Sequence, residues 1–211
     1  YVDNWESKKM WDIPENNPLA IIDEFEEFKN ENDSKVDLLL GNHDISYLSK
    51  ALYGNSVSGH QGAHEKLIRE EFEKHLSSFK IAVEYDGVVF SHAGFSSFWV
   101  DSVTSKHKAD KKDVINLCNS FVNDDKLSEF DFNGYNAFGD DITQGPTWIR
   151  PLSLMSNMFF SKQVVGHTEI KEENAPLLLK DGDKNLLIVD TAEHNLFLTL
   201  NTETFEWNKQ K

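Results

Sequence analysis

A layered α/β (α+β) fold, with a sheet core and helices outside, is the architecture this chain predicts. Apolar runs of strand length, Val36-Asp37-Leu38-Leu39-Leu40, Val88-Val89-Phe90 and Gln163-Val164-Val165, each end at a short polar peptide. Helical spacing of apolar residues marks the segments between the first two of them and after the second. From residue 163 onward, short strand-like runs succeed one another with turn residues between them. Strands mixed with helices and closing on a β-rich end imply a layered core.

Each element has its own signal. Asn17-Pro18 has the cap-then-proline pattern of a helix start, and Leu19, Ile22, Phe25 and Phe28 follow at helical spacing. The acidic run 23–27 reads as the solvated face of that helix. Strand 36–40 runs into Gly41. Residues 62–79 place Ala63, Leu67, Ile68, Phe72, Leu76 and Phe79 on one side, as an amphipathic helix does. Two short strands are expected near 80–85 and 87–91, with Asp86-Gly87 as their hairpin turn. A helix near 111–122 carries Val114, Ile115, Cys118 and Phe121. Residues 123–147, rich in Asp, Asn, Gly and aromatics without clean periodicity, read as a long loop or cap of the functional kind. The tail reads as strands 163–166, 176–180, 185–190, 195–200 and 204–207, with turns at Asp181-Gly182-Asp183 and Asn201-Thr202. With no internal repeat and no linker, residues 1–211 read as one domain.

Composition narrows the function. The chain has 21 basic and 36 acidic residues in 211, a formal net charge of −15. Such a surface repels nucleic-acid backbones and anionic membranes, so neither is an expected partner. Phosphate chemistry would need local positive charge, most simply from metal ions. Cys118 is the single cysteine, which excludes an intrachain disulfide and suits a reducing, cytoplasmic compartment. No stretch is long and apolar enough to span a membrane, and none has the pattern of a signal peptide.

The chemistry lies in three peptides, Gly41-Asn42-His43-Asp44, Ser91-His92-Ala93-Gly94 and Gly166-His167-Thr168. A strand that ends in a metal-binding side chain delivers it to the rim of a sheet, and strand C-termini share an edge in α/β proteins. Asn42, His92 and His167 would then offer one amide oxygen and two imidazole nitrogens to a common ion. That set suits Mn, Fe or Zn better than Ca or Mg. His43, beside Asn42 and followed by Asp44, is a candidate general acid, because an adjacent carboxylate can fix an imidazole's tautomer and raise its pKa.

The same peptides resemble the later motifs of the calcineurin-like metallophosphoesterases, in particular the bacterial and phage Ser/Thr protein phosphatases and diadenosine tetraphosphate hydrolases. Trp148-Ile149-Arg150-Pro151 resembles that branch's Trp-x-Arg segment, and Val189-Asp190-Thr191 its closing strand, with Ala192 where Gly is usual. The resemblance covers nearly the whole chain. It implies a sandwich of two mixed sheets flanked by helices, and two metal ions that activate a bridging water against phosphorus. It also implies that Asn42, His92 and His167 are metal ligands, that His43 with Asp44 protonates the leaving oxygen, and that Arg150 binds the substrate phosphate.

The front of the chain departs from that pattern. Tyr1-Val2-Asp3-Asn4 resembles the family's second motif cut just after its bridging Asp, and Asn4 stands where a phosphate-binding Arg is usual. No Asp-x-His followed by such a motif occurs. An N-terminally truncated domain lacking its first strand or strands is therefore expected, holding at most one transition metal, Mn before Fe or Zn, and more weakly than an intact two-metal site. The expected activity is phosphoester hydrolysis of a phosphoprotein, a nucleotide or a small phosphoester. Its rivals are a dinucleoside polyphosphate hydrolase and a non-catalytic binding domain with a degenerate site. His60 and His64, four residues apart, read as helix-start and pocket-rim residues and not as ligands. His75 reads as a helix-surface or packing residue, and His194 has no motif support. Trp5, Trp11, Trp99, Trp148 and Trp207 read as core or rim packing, not as a platform for bases.

Overall fold

The computed structural model describes residues 27, 36–49, 57, 60, 62, 65–124, 126–132, 140–190 and 197–210. The readings at residues 1–4, Asn17-Pro18 and most of the helix after it, Trp5, Trp11, Ala63, His64, Thr191, Ala192 and His194 lie outside the described residues.

Among the described residues the strands are β1 (Leu38–Leu39), β2 (Phe79–Lys80), β3 (Ala82–Tyr85), β4 (Val88–Ser91), β5 (Lys162–Val165), β6 (Leu177–Asp181), β7 (Lys184–Ile188), β8 (Phe197–Asn201) and β9 (Glu206–Gln210). The α-helices are α1 (Asn42–Leu48), α2 (Glu65–Lys74), α3 (Ser97–His107), α4 (Val114–Asn123) and α5 (Pro151–Ser156). A five-stranded sheet runs in the order β3-β4-β5-β7-β6. Its centre, β4-β5-β7, is parallel, and antiparallel β3 and β6 flank it. The expected mixed α/β class stands. The expected pair of mixed sheets does not describe these residues: beside the five-stranded sheet there are only a parallel pair, β1-β2, and an antiparallel ribbon, β8-β9.

Alternation along the strands sorts the two faces of the sheet. Val88, Val164 and Leu187 turn toward the β8-β9 ribbon, packing with Phe205 and the half-buried Leu200 and Trp207. Val165, Leu186 and Ile188 turn to the opposite face, where α5 contributes Leu154. Val89, also on that face, joins the largest core, built from α1 to α4 around Tyr47, Phe72, Phe95 and Phe121. The sheet is thus a middle layer between helices and a ribbon.

Several sequence signals translate directly. Asp86 (φ 51°) and Gly87 (φ 75°) make the tight turn between β3 and β4, and two positive φ values in a two-residue loop are what an Asp-Gly hairpin requires. The helix expected over 62–79 is shorter: α2 is followed by a 3-10 turn at Leu76–Ser78 and then β2. Leu67 is 56% exposed, so the buried stripe is Ile68 and Phe72 alone.

Three helices were not legible. In α3 the apolar residues Phe98, Trp99, Val100 and Val103 are interleaved with Ser and Thr, so the spacing is blurred. The helix is set instead by its ends: the Ser96 hydroxyl accepts from Trp99 N, and Lys108 closes it in a left-handed conformation (φ 53°). The short α1 and α5 each begin at a motif that reads as a loop. Within 123–147, the described residues include a 3-10 turn at Leu127–Phe130 whose Leu127 and Phe130 enter the core.

One buried amide clamps the segment that leaves β4. Gln163, fully buried on β5, accepts from Phe95 N–H (2.8 Å) and donates to the carbonyls of Phe95 (3.1 Å) and Phe160 (3.3 Å). The Phe95 carbonyl also accepts from Phe159 N–H (3.0 Å), so replacing Gln163 strands chiefly the Phe95 N–H and the Phe160 carbonyl, each at a cost of about 1–3 kcal/mol. Gln163→Leu is expected to lower unfolding free energy by roughly 2–4 kcal/mol in denaturant titration. A loss below about 0.5 kcal/mol would mean that these groups find other partners.

Candidate functional site

Parallel strands start the construction. Ser91 on β4 pairs with Val165 on β5, so the next residues, His92 and Gly166, leave the sheet side by side. Gly166 N–H donates to the His92 carbonyl (2.9 Å), extending the ladder one step past the strands. His167 then follows as the centre of a three-residue turn, with Thr168 N–H donating to the Gly166 carbonyl (2.7 Å) and φ of His167 at 61°. A left-handed backbone at a residue with a Cβ costs of order 1–3 kcal/mol and needs support. Arg150 supplies it: its Nη1 donates to the His167 carbonyl (2.8 Å) and to Thr168 Oγ1 (3.1 Å).

Asn42 arrives from a different sheet. Among the described residues β1 pairs only with β2, and the chain passes through Leu40 and Gly41 into the first turn of α1. The three residues therefore do not share one sheet edge as expected; a helix start is set against the ends of two parallel strands. The helix is capped at the distance a capping box requires. Gly41 is the N-cap, and Asp44 Oδ2 accepts from Gly41 N–H (2.8 Å).

The structure brings Asn42, His92 and His167 together. His92 Nε2 lies 2.9 Å from Asn42 Oδ1 and 3.0 Å from His167 Nδ1. His167 Nε2 lies 3.0 Å from the Trp148 carbonyl. A carbonyl only accepts, so the His167 proton sits on Nε2 and the Nδ1 lone pair faces His92 Nε2, which by the same rule donates between it and Asn42 Oδ1 in the metal-free protein. Metal-binding histidines are fixed in the same way, by donating their second nitrogen's proton to a carbonyl. The donor spacing also fits. Two ligands at right angles about an ion with bonds near 2.1 Å are separated by about 3.0 Å.

Electrostatics keep these imidazoles neutral. Burial pushes the His92 pKa down to about 4, against the opposing Asp44 carboxylate and with help from His43 and Arg150. Burial likewise holds His167 at about 2, helped by His92 and Arg150 and opposed by the Trp148 carbonyl. Both rings therefore carry lone pairs at neutral pH. Among the described residues there is no group of three or more His, Cys, Asp or Glu that could hold a metal, so a centre here depends on the Asn42 amide oxygen beside two imidazoles.

The remaining candidates fall around this cluster. His43 lies in the first turn of α1, half-buried, where its charge would disfavour protonation of His92 and His167. Burial lowers its pKa, and the Asp44 carboxylate only partly opposes this; the net direction is the reverse of the expected rise. Asp44 itself serves as the helix cap, a role its spacing from Gly41 makes readable. Arg150, expected to bind phosphate, makes its described hydrogen bonds to the His167 turn, and burial lowers its pKa. His60 stacks on Tyr47 (4.4 Å between ring centres, 13° between planes), with Nδ1 3.3 Å from Ser46 Oγ. His75 lies 3.6 Å from Glu71 at the end of α2.

The sequence reading missed two contributors. The Trp148 carbonyl orients His167, and no side-chain motif announces a carbonyl. Gly41 is needed for closeness: a Cβ there would fall 2.8 Å from Cε1 and Nδ1 of His92. His92 is held on its other side by Asn42 and His167 and cannot step away. Gly41→Ala is expected to cost about 1–3 kcal/mol of stability. It should also push the His92 ring off Asn42 and His167, read as a shift of the imidazole signals in NMR. Unchanged signals would show that the ring is not displaced.

Acid should destabilise the metal-free protein through the same two rings. In the unfolded chain each histidine takes up its proton near the ordinary value of 6.5, whereas in the site His92 waits until about 4 and His167 until about 2. The unfolded state therefore binds more protons, and stability that is complete above about pH 6.5 is lost as pH falls toward 4. Some solvent reaches the His92 ring, so a loss of about 1–3 kcal/mol is expected over that interval, reduced in His92→Gln. A pH-independent difference between the two proteins in urea would refute it.

No family model and no curated protein matches this chain. Solved structures do. The chain is similar to a cold-active protein-tyrosine phosphatase of a psychrophilic Shewanella species at 18% identity and a TM-score of 0.51, over 93% of this chain and 65% of that one. A point mutant of a cold-active protein tyrosine phosphatase matches at 19% identity and 0.51, over the same shares. At such identity the likeness establishes a shared fold, and this chain spans 65% of those proteins' length. No helix among the described residues is long and apolar enough to cross a membrane.

Proposed function

We propose that this chain carries the site of a metal-dependent phosphoester hydrolase of the calcineurin-like class. One observation carries the reading: an imidazole nitrogen of His92 lies within 3.0 Å of both the Asn42 amide oxygen and a His167 ring nitrogen, and the Trp148 carbonyl holds the His167 lone pair toward His92. The fold shared with solved phosphatases supports phosphoester hydrolysis over other metal chemistry. The motif resemblance of the three peptides supports the calcineurin-like assignment.

Asn42, His92 and His167 would hold a divalent transition metal, with manganese favoured over iron and zinc by the mixed oxygen and nitrogen set. When bound, such an ion would supply Lewis acidity toward water and phosphate oxygens, along with positive charge in a chain whose net charge is −15. The chain's own residues do the rest. Arg150 braces the strained His167 turn and adds a guanidinium beside the site. His43, at the start of α1, donates the proton to the leaving oxygen. Burial favours its neutral form, and the negative charge of a bound phosphoester, with Asp44 beside it, restores the proton when substrate is present. The substrate is a phosphorylated protein, nucleotide or small phosphoester.

Leaving-group dependence separates acid from ligand. His43→Ala is expected to lower kcat for an alkyl phosphoester by about 10²- to 10⁴-fold. It should matter far less for an ester with an acidic aryl leaving group, with metal content by elemental analysis unchanged. His92→Ala should lose metal and activity together. If His43→Ala strips the metal, or slows both esters equally, His43 is a ligand or a structural residue. Metal binding with no turnover of any phosphoester would make this a binding domain instead.

A further inference from the structure

We propose that Trp148 and Phe132 form an aromatic wall of the substrate pocket that selects phosphoesters of aromatic alcohols over alkyl ones; this rests on the phosphoester reading of the site. The indole of Trp148 lies 5.9 Å from the His167 ring at 80°, and Phe132 lies 5.3 Å from the indole at 76°. The rings thus run edge-to-face outward from a donor residue. Both Trp148 and Phe132 are half-buried, unlike Trp99, which is 7% exposed and packs between Phe95 and Phe130 in the core. Each of the two residues therefore keeps some surface open to solvent, and Trp148 does so in contact with His167.

The wall is also anchored. Trp148 N–H donates to the Gly145 carbonyl (3.1 Å), and its own carbonyl is committed to His167. The buried Thr147 hydroxyl donates to the Phe130 carbonyl (2.9 Å), tying the segment before Phe132 to the segment before Trp148. These main-chain bonds fix the backbone that carries the indole, and the contacts with His167 and Phe132 limit its ring, so less ordering is needed when a ligand arrives. An ester whose phosphate sits at the donors extends its alcohol past His167. A ring at a centroid separation of about 4.5–7 Å from the indole gains an oriented aromatic contact that an alkyl chain lacks. Such contacts amount to roughly three- to ten-fold in affinity.

The test uses two non-hydrolysable ligands, phenylphosphonate and ethylphosphonate, titrated calorimetrically into the manganese-loaded full chain. Phenylphosphonate should bind about three- to ten-fold tighter. Trp148→Leu should bring the ratio toward one, and Trp148→Phe should restore most of it. Phe132→Leu should reduce the ratio in part, and it serves alone if Trp148→Leu does not fold. Equal affinities in the unaltered protein, or a ratio indifferent to these substitutions, would overturn the wall while leaving the phosphoester reading in place. Failure of both phosphonates to bind would overturn that reading and the wall with it.

Discussion

The parallel register of β4 against β5 governs the site. Because Ser91 faces Val165, two histidines separated by 75 positions in the chain leave the sheet on adjacent strands. A one-residue slip of β5 would turn Val164 and Val165 to the wrong faces and move His167 away from His92 together. The apolar residues that lock the register are therefore also what position the donors. Asn42 depends on a second constraint, the close approach of Gly41 to the His92 ring, which lets a separate helix start press against the strand ends.

Much of this was readable. The strand-end peptides, the Asp86-Gly87 hairpin and the alternating strands of the tail carry local signals, because a period of two and a turn residue survive without tertiary context. That His92 and His167 follow strand-like runs was legible for the same reason. What was not legible is long-range. Nothing local says that β1 pairs with β2 and not with β4, since Leu38 and Leu39 fit either place. Nothing in Trp148 says that its carbonyl will meet His167. The lowered pKa of His43 was misread because Asp44 is visible in the sequence and burial is not. The helix α3 was missed because its packing face mixes Val and Trp with Thr, and only the caps define it.

The electrostatic character of the site follows from the same packing. A chain with a net charge of −15 places uncharged donors at this point, with Arg150 and no second arginine braced to the turn. The protein keeps His92 and His167 neutral by surrounding them with protein atoms, so the cluster is polar without being a pool of negative charge. Under the proposed metal role, selectivity would come from donor type and spacing more than from attraction at a distance.

The left-handed turn at His167 has a consequence for how the sequence can drift. Glycine would sit there without strain, so random change at this position is pulled downhill toward a more comfortable backbone and an empty donor position. A histidine at such a conformation is a standing expense to folding. Among divergent relatives, the residue found at this turn would thus act as a marker of use: chains that still exploit the site keep the awkward side chain, and chains that have abandoned it relax.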